Sequence, residues 1–324
     1  GRVDMRSLRA RFEEFFMHAH PRVHQYAVGV EQGGEIMFRA IADTLKADPS
    51  KVVVGNDARK AYQNFDRDSL WEVVDTEFPE IANMVRLCYG VPSAVILQDA
   101  GLGDPVVLLN GVGARQGCPL GSLIYCIAQH PILVEVAEAH QDLDIHAFVD
   151  DVSFISSLRV GAGAMTPGAA RAASPVTTCS ACVANEMYSY LYTLRLRGQL
   201  NDAKSMAFSY GATEAQARDA GLNPAIPWAT SELPDGSAAT GGVIIYGAPI
   251  GAPAFERAFL KAALSVSLTA LRRLSRMRRG QHRLILLRMS LSKRIQHIQR
   301  LIPTHGHMDL LEEYDSWLVV AVND

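Results

Sequence analysis

The stretch HAFVDDVSFI, residues 146–155, places two adjacent aspartates inside an otherwise apolar run. The apolar and β-branched residues on both sides predict a buried β-hairpin that carries Asp150 and Asp151 at its turn. Burying a carboxylate is costly unless an arginine, a set of backbone amides or a metal ion compensates its charge. The rest of the sequence has to indicate which of these groups is present.

The composition indicates a globular protein with a substantial core. The chain has 324 residues, of which 48% are hydrophobic and 20% charged, enough for one large domain or two to three smaller ones. It contains no apolar run of 18 residues, so no transmembrane helix is expected. Five scattered cysteines favour a reducing intracellular compartment, and the CSAC stretch at 179–182 lacks a second pair at zinc spacing.

The charge is unevenly distributed along the chain. Residues 257–300 hold 12 of the 31 Lys and Arg residues and none of the 34 Asp and Glu residues, although the whole chain has a net charge of −3. Such clustering suits binding to a phosphate backbone, and a solvated helical face is the alternative.

The order of predicted elements indicates an α+β fold with a mostly antiparallel sheet, followed by a helical module. Residues 51–57 form a buried strand ending at an aspartate, and two apolar runs around 101–104 form a hairpin. A long helix follows GARQGCPLGS, and another helix spans about 184–196. Residues 158–178, rich in Gly, Ala, Ser and Pro, are expected to be a flexible insertion.

Three carboxylates, on Asp57, Asp150 and Asp151, end or turn predicted strands and can converge there. Converged carboxylates repel one another unless a cation lies among them, and Mg²⁺ prefers such hard oxygen ligands. Two such ions can stabilise the attacking and leaving oxygens of a phosphoryl displacement. The alternative is that the tandem pair only caps the hairpin turn, with Asp151 exposed.

Five segments in a fixed order resemble the palm motifs of reverse transcriptases, most of all those of non-LTR (LINE-like) retrotransposons. The segments are DARKAYQNFDR (57–67), GARQGCPLGS (113–122), FVDD (148–151), LNDAKS (200–205) and YGAPIG (246–251). QYAVGVEQGGE (25–35) and LLRMSLSKRIQHIQRLIP (286–303) are similar to flanking segments of that group.

The resemblance implies roles for the residues that match these motifs. Asp57 and Asp150 would bind Mg²⁺, with Asp151 as a weaker partner. Lys204 would lie near the triphosphate as a possible proton donor to pyrophosphate. The nucleotide-binding set would be Ala58, Tyr62, Arg115, Gln116 and Gly117, with the Tyr62 ring closing under the sugar. A core position is the alternative for Tyr62.

The resemblance also implies how the chain holds its polymers. The turn Gly247, Ala248, Pro249 and Gly251 would hold the primer 3′ end. The helices that follow would grip duplex backbone through Arg272, Arg273, Arg276 and Arg279.

The domain division that follows has two parts. Residues 1–252 would form short fingers and a palm, the palm being about 50–64 and 92–252, and residues 253–324 would form a helical thumb and tail.

The expected function is RNA-directed DNA synthesis by two-metal nucleotidyl transfer, with an RNA template, a DNA primer and dNTP as partners. The alternative is a domesticated, inactive relative with a structural or RNA-binding role among other subunits of a large complex. An active element enzyme would work in the nucleus or cytoplasm, and a domesticated one in an organelle.

Overall fold

The computed structural model describes residues 4–98, 105–115, 117–161, 176–277, 279–290 and 295–323. It is a mixed α and β structure, as the sequence predicted. The strands are β1 Val23–Gln25, β2 Lys51–Asn56, β3 Ser93–Leu97, β4 Val106–Asn110, β5 Asp144–Phe148, β6 Asp151–Ser157, β7 Arg159–Gly161, β8 Val176–Thr178, β9 Met206–Phe208, β10 Thr230–Glu232, β11 Ala238–Thr240, β12 Gly242–Ile245 and β13 Ala248–Gly251.

Helices connect and cover these strands. They are α1 Met5–Glu13, α2 Gly33–Ala47, α3 Ala61–Asn64, α4 Asp68–Glu77, α5 Pro79–Tyr89, α6 Gly121–Ala139, α7 Ser180–Leu196, α8 Glu214–Asp219, α9 Pro253–Ser275, α10 Gly280–Met289, α11 Gln296–Leu301 and α12 Met308–Asn323. α1 runs on into a π-helical turn, Glu14–His18. Within the described residues, no helix is long and apolar enough to cross a membrane.

The largest sheet has the strand order β1-β5-β6-β2-β9, in which β1 and β5 are parallel and the other neighbours antiparallel. The inner strand β2, which lies between β6 and β9, is buried on both faces. Val52 and Val54 belong to one apolar cluster, and Val53 belongs to a second cluster on the opposite face. This alternation follows from the two-residue period of a strand and explains the continuous KVVV run.

Helices fill the two faces of the sheet. α6 and α7 pack on the Val52 and Val54 side, where the ring of Phe154 on β6 meets Tyr188 on α7 edge-on at 5.4 Å. α2 packs on the other side through Met37, Phe38 and Ile41. The sheet is therefore held between two helical layers, and its strand ends are the parts left to meet solvent.

The insertion begins and ends with structure that the sequence did not predict. β7 and β8 pair antiparallel, and α7 starts at Ser180 instead of about 184. The helix starts there because the Ser156 hydroxyl accepts a hydrogen bond from the Ala181 amide at 2.8 Å, which satisfies one amide of the first turn. Residues 162–175 of the expected flexible segment lie outside the described residues.

α9, α10, α11 and α12 share a separate apolar cluster. Phe255, Phe259 and Leu260 of α9 belong to it, together with Ile298 and Tyr314 of later helices. The helical C-terminal segment thus has a core of its own, while the division at residue 252 stays a prediction.

Arg67 organises the loop that precedes α6. Its buried guanidinium donates to the carbonyls of Gly113 (2.9 Å), Tyr89 (3.3 Å), Val112 (3.3 Å) and Asn110 (3.4 Å). One planar cation thereby satisfies the carbonyls at the ends of α5 and β4 and two carbonyls of the loop that follows β4.

We expect Arg67→Lys to lower the free energy of unfolding by about 1–3 kcal/mol, because an ammonium cannot reach four separated carbonyls. Urea denaturation followed by circular dichroism measures the change. Arg9→Lys, at an exposed position, is the control and should shift the midpoint little. Equal effects of the two substitutions would contradict this role of Arg67.

Candidate active site at the end of the central sheet

The acidic residues that the sequence singled out meet at one end of the central sheet. The last pair of the antiparallel β2–β6 ladder joins Asn56 to Val152. Asp57, the residue after Asn56, therefore lies beside Asp151, the residue before Val152. Asp150 lies in the turn between β5 and β6. Asp57 and Asp151 line the same small cavity of about 60 Å³.

Burial and neighbouring carboxylates raise the pKa values of Asp150 and Asp151. Loss of hydration and the charge of Asp57 raise the pKa of Asp150. Loss of hydration, Asp150 and Asp57 raise the pKa of Asp151 to about 6, although this side chain lies on the exposed rim of the site. The three groups therefore form one repelling cluster that a cation would stabilise.

The backbone around Asp57 is fastened to the LNDAKS segment. The Asp57 amide donates to the Ser205 hydroxyl at 3.1 Å, and the Asn201 amide donates to the Asp57 carbonyl at 2.8 Å. Ala58 forms an isolated bridge with Leu200. This pairing brings the exposed Lys204 to the cavities that Asp57 also lines.

Asn56, one residue before Asp57, is buried and hydrogen bonded on both sides. Its side-chain Oδ1 accepts a hydrogen bond from the Asn185 Nδ2 at 2.7 Å, and its Nδ2 donates to the backbone carbonyls of Val54 and Val152. The polar residue at the end of an apolar strand thus joins β2 to α7 and fixes the direction of the chain into Asp57.

The donor chemistry of the acidic cluster suits Mg²⁺, since three carboxylates supply hard, negatively charged oxygens. However, within the residues that the structure describes, no three His, Cys, Asp or Glu side chains are arranged as a ready set of metal ligands. The magnesium assignment therefore remains a prediction, supported by the mutual repulsion of the carboxylates.

Tyr62 lies between the acidic cluster and α6. Its ring stacks on Tyr125 at 5.4 Å, its hydroxyl donates to Ser122 at 3.1 Å, and the residue is half-buried. Burial raises its pKa, and the charges of Asp150 and Asp151 raise it further. The ring is thus held rigidly within electrostatic reach of both aspartates.

The GARQG segment is placed by contacts with α5. The Arg115 guanidinium donates to the Cys88 carbonyl at 2.6 Å and lies 5.0 Å from the Tyr89 ring centroid, so part of this cation is already used inside the protein. Gly117 is exposed with a φ of +79°, which favours glycine. Gln116 lies outside the described residues.

The YGAPIG segment is a tight turn between β12 and β13. Tyr246 and Gly247 both have positive φ (50° and 69°), as in a type I′ turn. Only Gly247 is exposed, whereas Ala248, Pro249 and Gly251 are buried in β13. Gly247 shares a cavity of about 600 Å³ with Asp57 and Lys204.

The arginines of the C-terminal helices differ in their surroundings. Arg272, Arg273, Arg276 and Arg279 are all exposed, and the Arg272 guanidinium lies 5.1 Å from the Trp317 ring centroid. Two further arginines of this basic segment form ion pairs, Arg257 with Asp309 and Arg300 with Glu35.

Three cations beside Asp57 were not predicted as site residues. Arg59, Lys60 and Arg197 line, with Asp57 and Lys204, a cavity of about 730 Å³. Arg59 and Lys60, two and three residues after Asp57, could have been found from the sequence. Arg197 could not, because it is itself the left-handed residue (φ 55°) that ends α7, far from Asp57 in the chain.

Comparison with known proteins adds little. No family model matches the chain, and no curated protein matches it. Among solved structures, the chain is similar to telomerase from Candida albicans in complex with the TWJ fragment of telomeric RNA, with 11% identity and a TM-score of 0.40. The match covers 89% of this chain, which spans about half (48%) of the telomerase chain.

The raised pKa of Asp151 gives a pH-dependent prediction for the metal-free protein. Between about pH 4 and 6 the Asp151 carboxylate binds a proton more tightly in the folded state than in the unfolded state. The free energy of unfolding therefore falls as the pH rises through this interval. We expect Asp151→Asn to stabilise the protein at pH 7.5 by about 1 kcal/mol, after allowance for solvent screening. The gain should disappear as the pH falls below 4.

Thermal melts of both proteins at pH 7.5 and pH 4 measure this difference. Asp315→Asn, on the exposed surface of α12, is the matched control and should leave the melting temperature unchanged at both values. An Asp151→Asn protein that melts at the wild-type temperature at pH 7.5 would contradict the prediction that burial and the neighbouring carboxylates disfavour the Asp151 charge.

Proposed function

We propose that this chain is the core of an RNA-directed DNA polymerase of the non-LTR retrotransposon type, with short fingers and a palm in residues 1–252 and a helical thumb in residues 253–324. The observation that carries the proposal is the convergence of Asp57 with Asp150 and Asp151, which come from distant motifs, at one end of a buried sheet. The order of five palm-like motifs supports the same reaction.

The acidic cluster is the proposed metal site. Asp57 and Asp150 would hold Mg²⁺, with Asp151 at the rim, and the bound metal would supply charge stabilisation for the attacking and leaving oxygens. The chain itself contributes a rigid backbone, because Ser205 and Asn201 fix both the amide and the carbonyl of Asp57.

The cavity beside Asp57 is the proposed triphosphate site. Arg59, Lys60 and Lys204 place three positive charges along its wall, which suits the charge of a bound dNTP. Arg197 also lines the cavity, but its guanidinium lies 3.8 Å from the Asp66 carboxylate. Lys204 would donate a proton to the leaving pyrophosphate. Arg115 is a weaker candidate for nucleotide contact, since its guanidinium is engaged by Cys88 and Tyr89.

Tyr62 is the proposed sugar-selecting residue. Its ring stacks on Tyr125 and its hydroxyl donates a hydrogen bond to Ser122. These contacts restrict movement of the ring away from the 2′-hydroxyl of a ribonucleotide. This supports a preference for deoxynucleotides.

The primer and template occupy the other side of Asp57 in this proposal. The exposed tip at Gly247 lies on the cavity that reaches Asp57, as a primer 3′ end requires. The exposed cations Arg273, Arg276 and Arg279 would grip the duplex backbone.

Primer extension tests the proposal directly. With an RNA template, a DNA primer, dNTPs and Mg²⁺, we expect extension by the wild-type protein and a loss of roughly 10³-fold or more for Asp150→Asn, because a metal ligand is removed. Asp315→Asn should extend at the wild-type rate. Absence of wild-type extension, together with co-purification in a large complex, would refute the polymerase and support a non-catalytic subunit.

Salt dependence of nucleic-acid binding tests the thumb assignment. Replacing Arg273, Arg276 and Arg279 by Gln should reduce the slope of log K against log salt by roughly 2–3, since each lost phosphate contact removes 0.7–0.9. Fluorescence anisotropy with an RNA–DNA duplex at several salt concentrations provides the slope. Arg6→Gln with Arg9→Gln, at the exposed start of α1, is the control, and equal slopes for all three proteins would exclude the thumb grip.

A further inference from the structure

The turn that carries Asp150 has an unusual backbone. Phe148 and Asp151 form the last pair of the β5–β6 ladder, so Val149 and Asp150 are the two loop residues. Val149 has a φ of +59°, a left-handed conformation that a β-branched residue rarely adopts. A positive φ at the first loop position is the mark of a type II′ turn, where glycine is the usual residue.

Gln25 holds this residue in place from a different strand. Its Oε1 accepts a hydrogen bond from the Val149 amide at 2.8 Å, and its Nε2 donates to the Val149 carbonyl at 3.2 Å. The Oε1 atom also accepts from the Ala27 amide at 3.2 Å. The reverse orientation of the carboxamide would set its NH₂ against two backbone N–H donors, so the contacts fix the assignment.

The position of Gln25 makes this contact stiff. Gln25 is the last residue of β1, it pairs in register with Ala147 of β5, and it is 1% exposed. Val149 is 9% exposed, so water is poorly placed to replace the carboxamide. Both backbone polar groups of the strained residue therefore depend on one side chain.

We propose that Gln25 is a positioning residue that locks the Val149–Asp150 turn and so aims the Asp150 carboxylate at Asp57. This inference rests on the proposed polymerase function for its catalytic meaning, whereas the locking itself is a property of the fold. Without the carboxamide, Val149 relaxes toward negative φ and the next residue, Asp150, turns with it.

The test uses a variant that keeps the side-chain volume. We expect Gln25→Met to lower kcat for primer extension by about 10–100-fold. The KM for dNTP should change by less than about threefold, because the groups lining the triphosphate cavity do not touch Gln25. Val149→Gly in the Gln25→Met background should restore at least half of the lost activity on a logarithmic scale, since glycine adopts positive φ without strain. Gln141→Ala, at an exposed position after α6, is the matched control.

Hydrogen exchange separates this inference from the proposed function. By mass spectrometry, the peptide over residues 146–155 should exchange faster at the turn in Gln25→Met than in wild type, with or without polymerase activity. If the wild type does not extend primers, the polymerase proposal fails, and the exchange rates alone decide the locking role. Unchanged exchange at the turn, unchanged kcat, or a loss of activity that Val149→Gly does not restore would overturn the role of Gln25.

Discussion

Repulsion among three carboxylates at the end of the central sheet is the constraint on which the remaining structure depends. The antiparallel register of β2 and β6 brings Asp57 to Asp151, and the short turn before β6 adds Asp150. The charges oppose folding, so the surrounding contacts must hold them there. Strands buried on both faces, the Asn56–Asn185 link and the pairing of Asp57 with residues 201–205 supply that rigidity.

The site has two oppositely charged parts, the three carboxylates and a group of cations that lines the cavity beside Asp57. Arg59, Lys60, Arg197 and Lys204 line the cavity beside Asp57, whereas burial and neighbouring carboxylates raise the pKa values of Asp150 and Asp151. In the proposed function the cations would meet the triphosphate and the carboxylates would meet the metal. This arrangement suits a reaction in which a metal and a polyphosphate arrive together.

Local pattern was sufficient to predict the strands β2, β5 and β6, which carry or border the three aspartates. Apolar runs that end at Asp57 and surround Asp150 and Asp151 require buried strands, and buried strands of one sheet bring their ends together. The role of Tyr62 came from the resemblance of residues 57–67 to a palm motif, and it stays a prediction. Counting charge was less reliable, because Arg257, Arg272 and Arg300 of the basic segment are engaged by acidic or aromatic side chains.

Contacts between distant parts of the chain could not be predicted in this way. The start of α7 depends on the hydroxyl of Ser156, and Arg197, the left-handed residue that ends α7, lines the cavity beside Asp57. Gln25 and Val149 are 124 positions apart in the sequence, and no periodic pattern predicts that they meet. Such contacts are set by the tertiary fold, so only coordinates show them.

The placement of β2 between late strands has a consequence for how the chain is made. Its partners β6 and β9 end at Ser157 and Phe208, so the ribosome must add more than a hundred residues before both edges of β2 are covered. At ordinary rates of translation this takes roughly ten to thirty seconds. During that time Val52, Val53 and Val54 form an unpaired apolar strand, and the nascent chain needs shielding from its neighbours on the polysome.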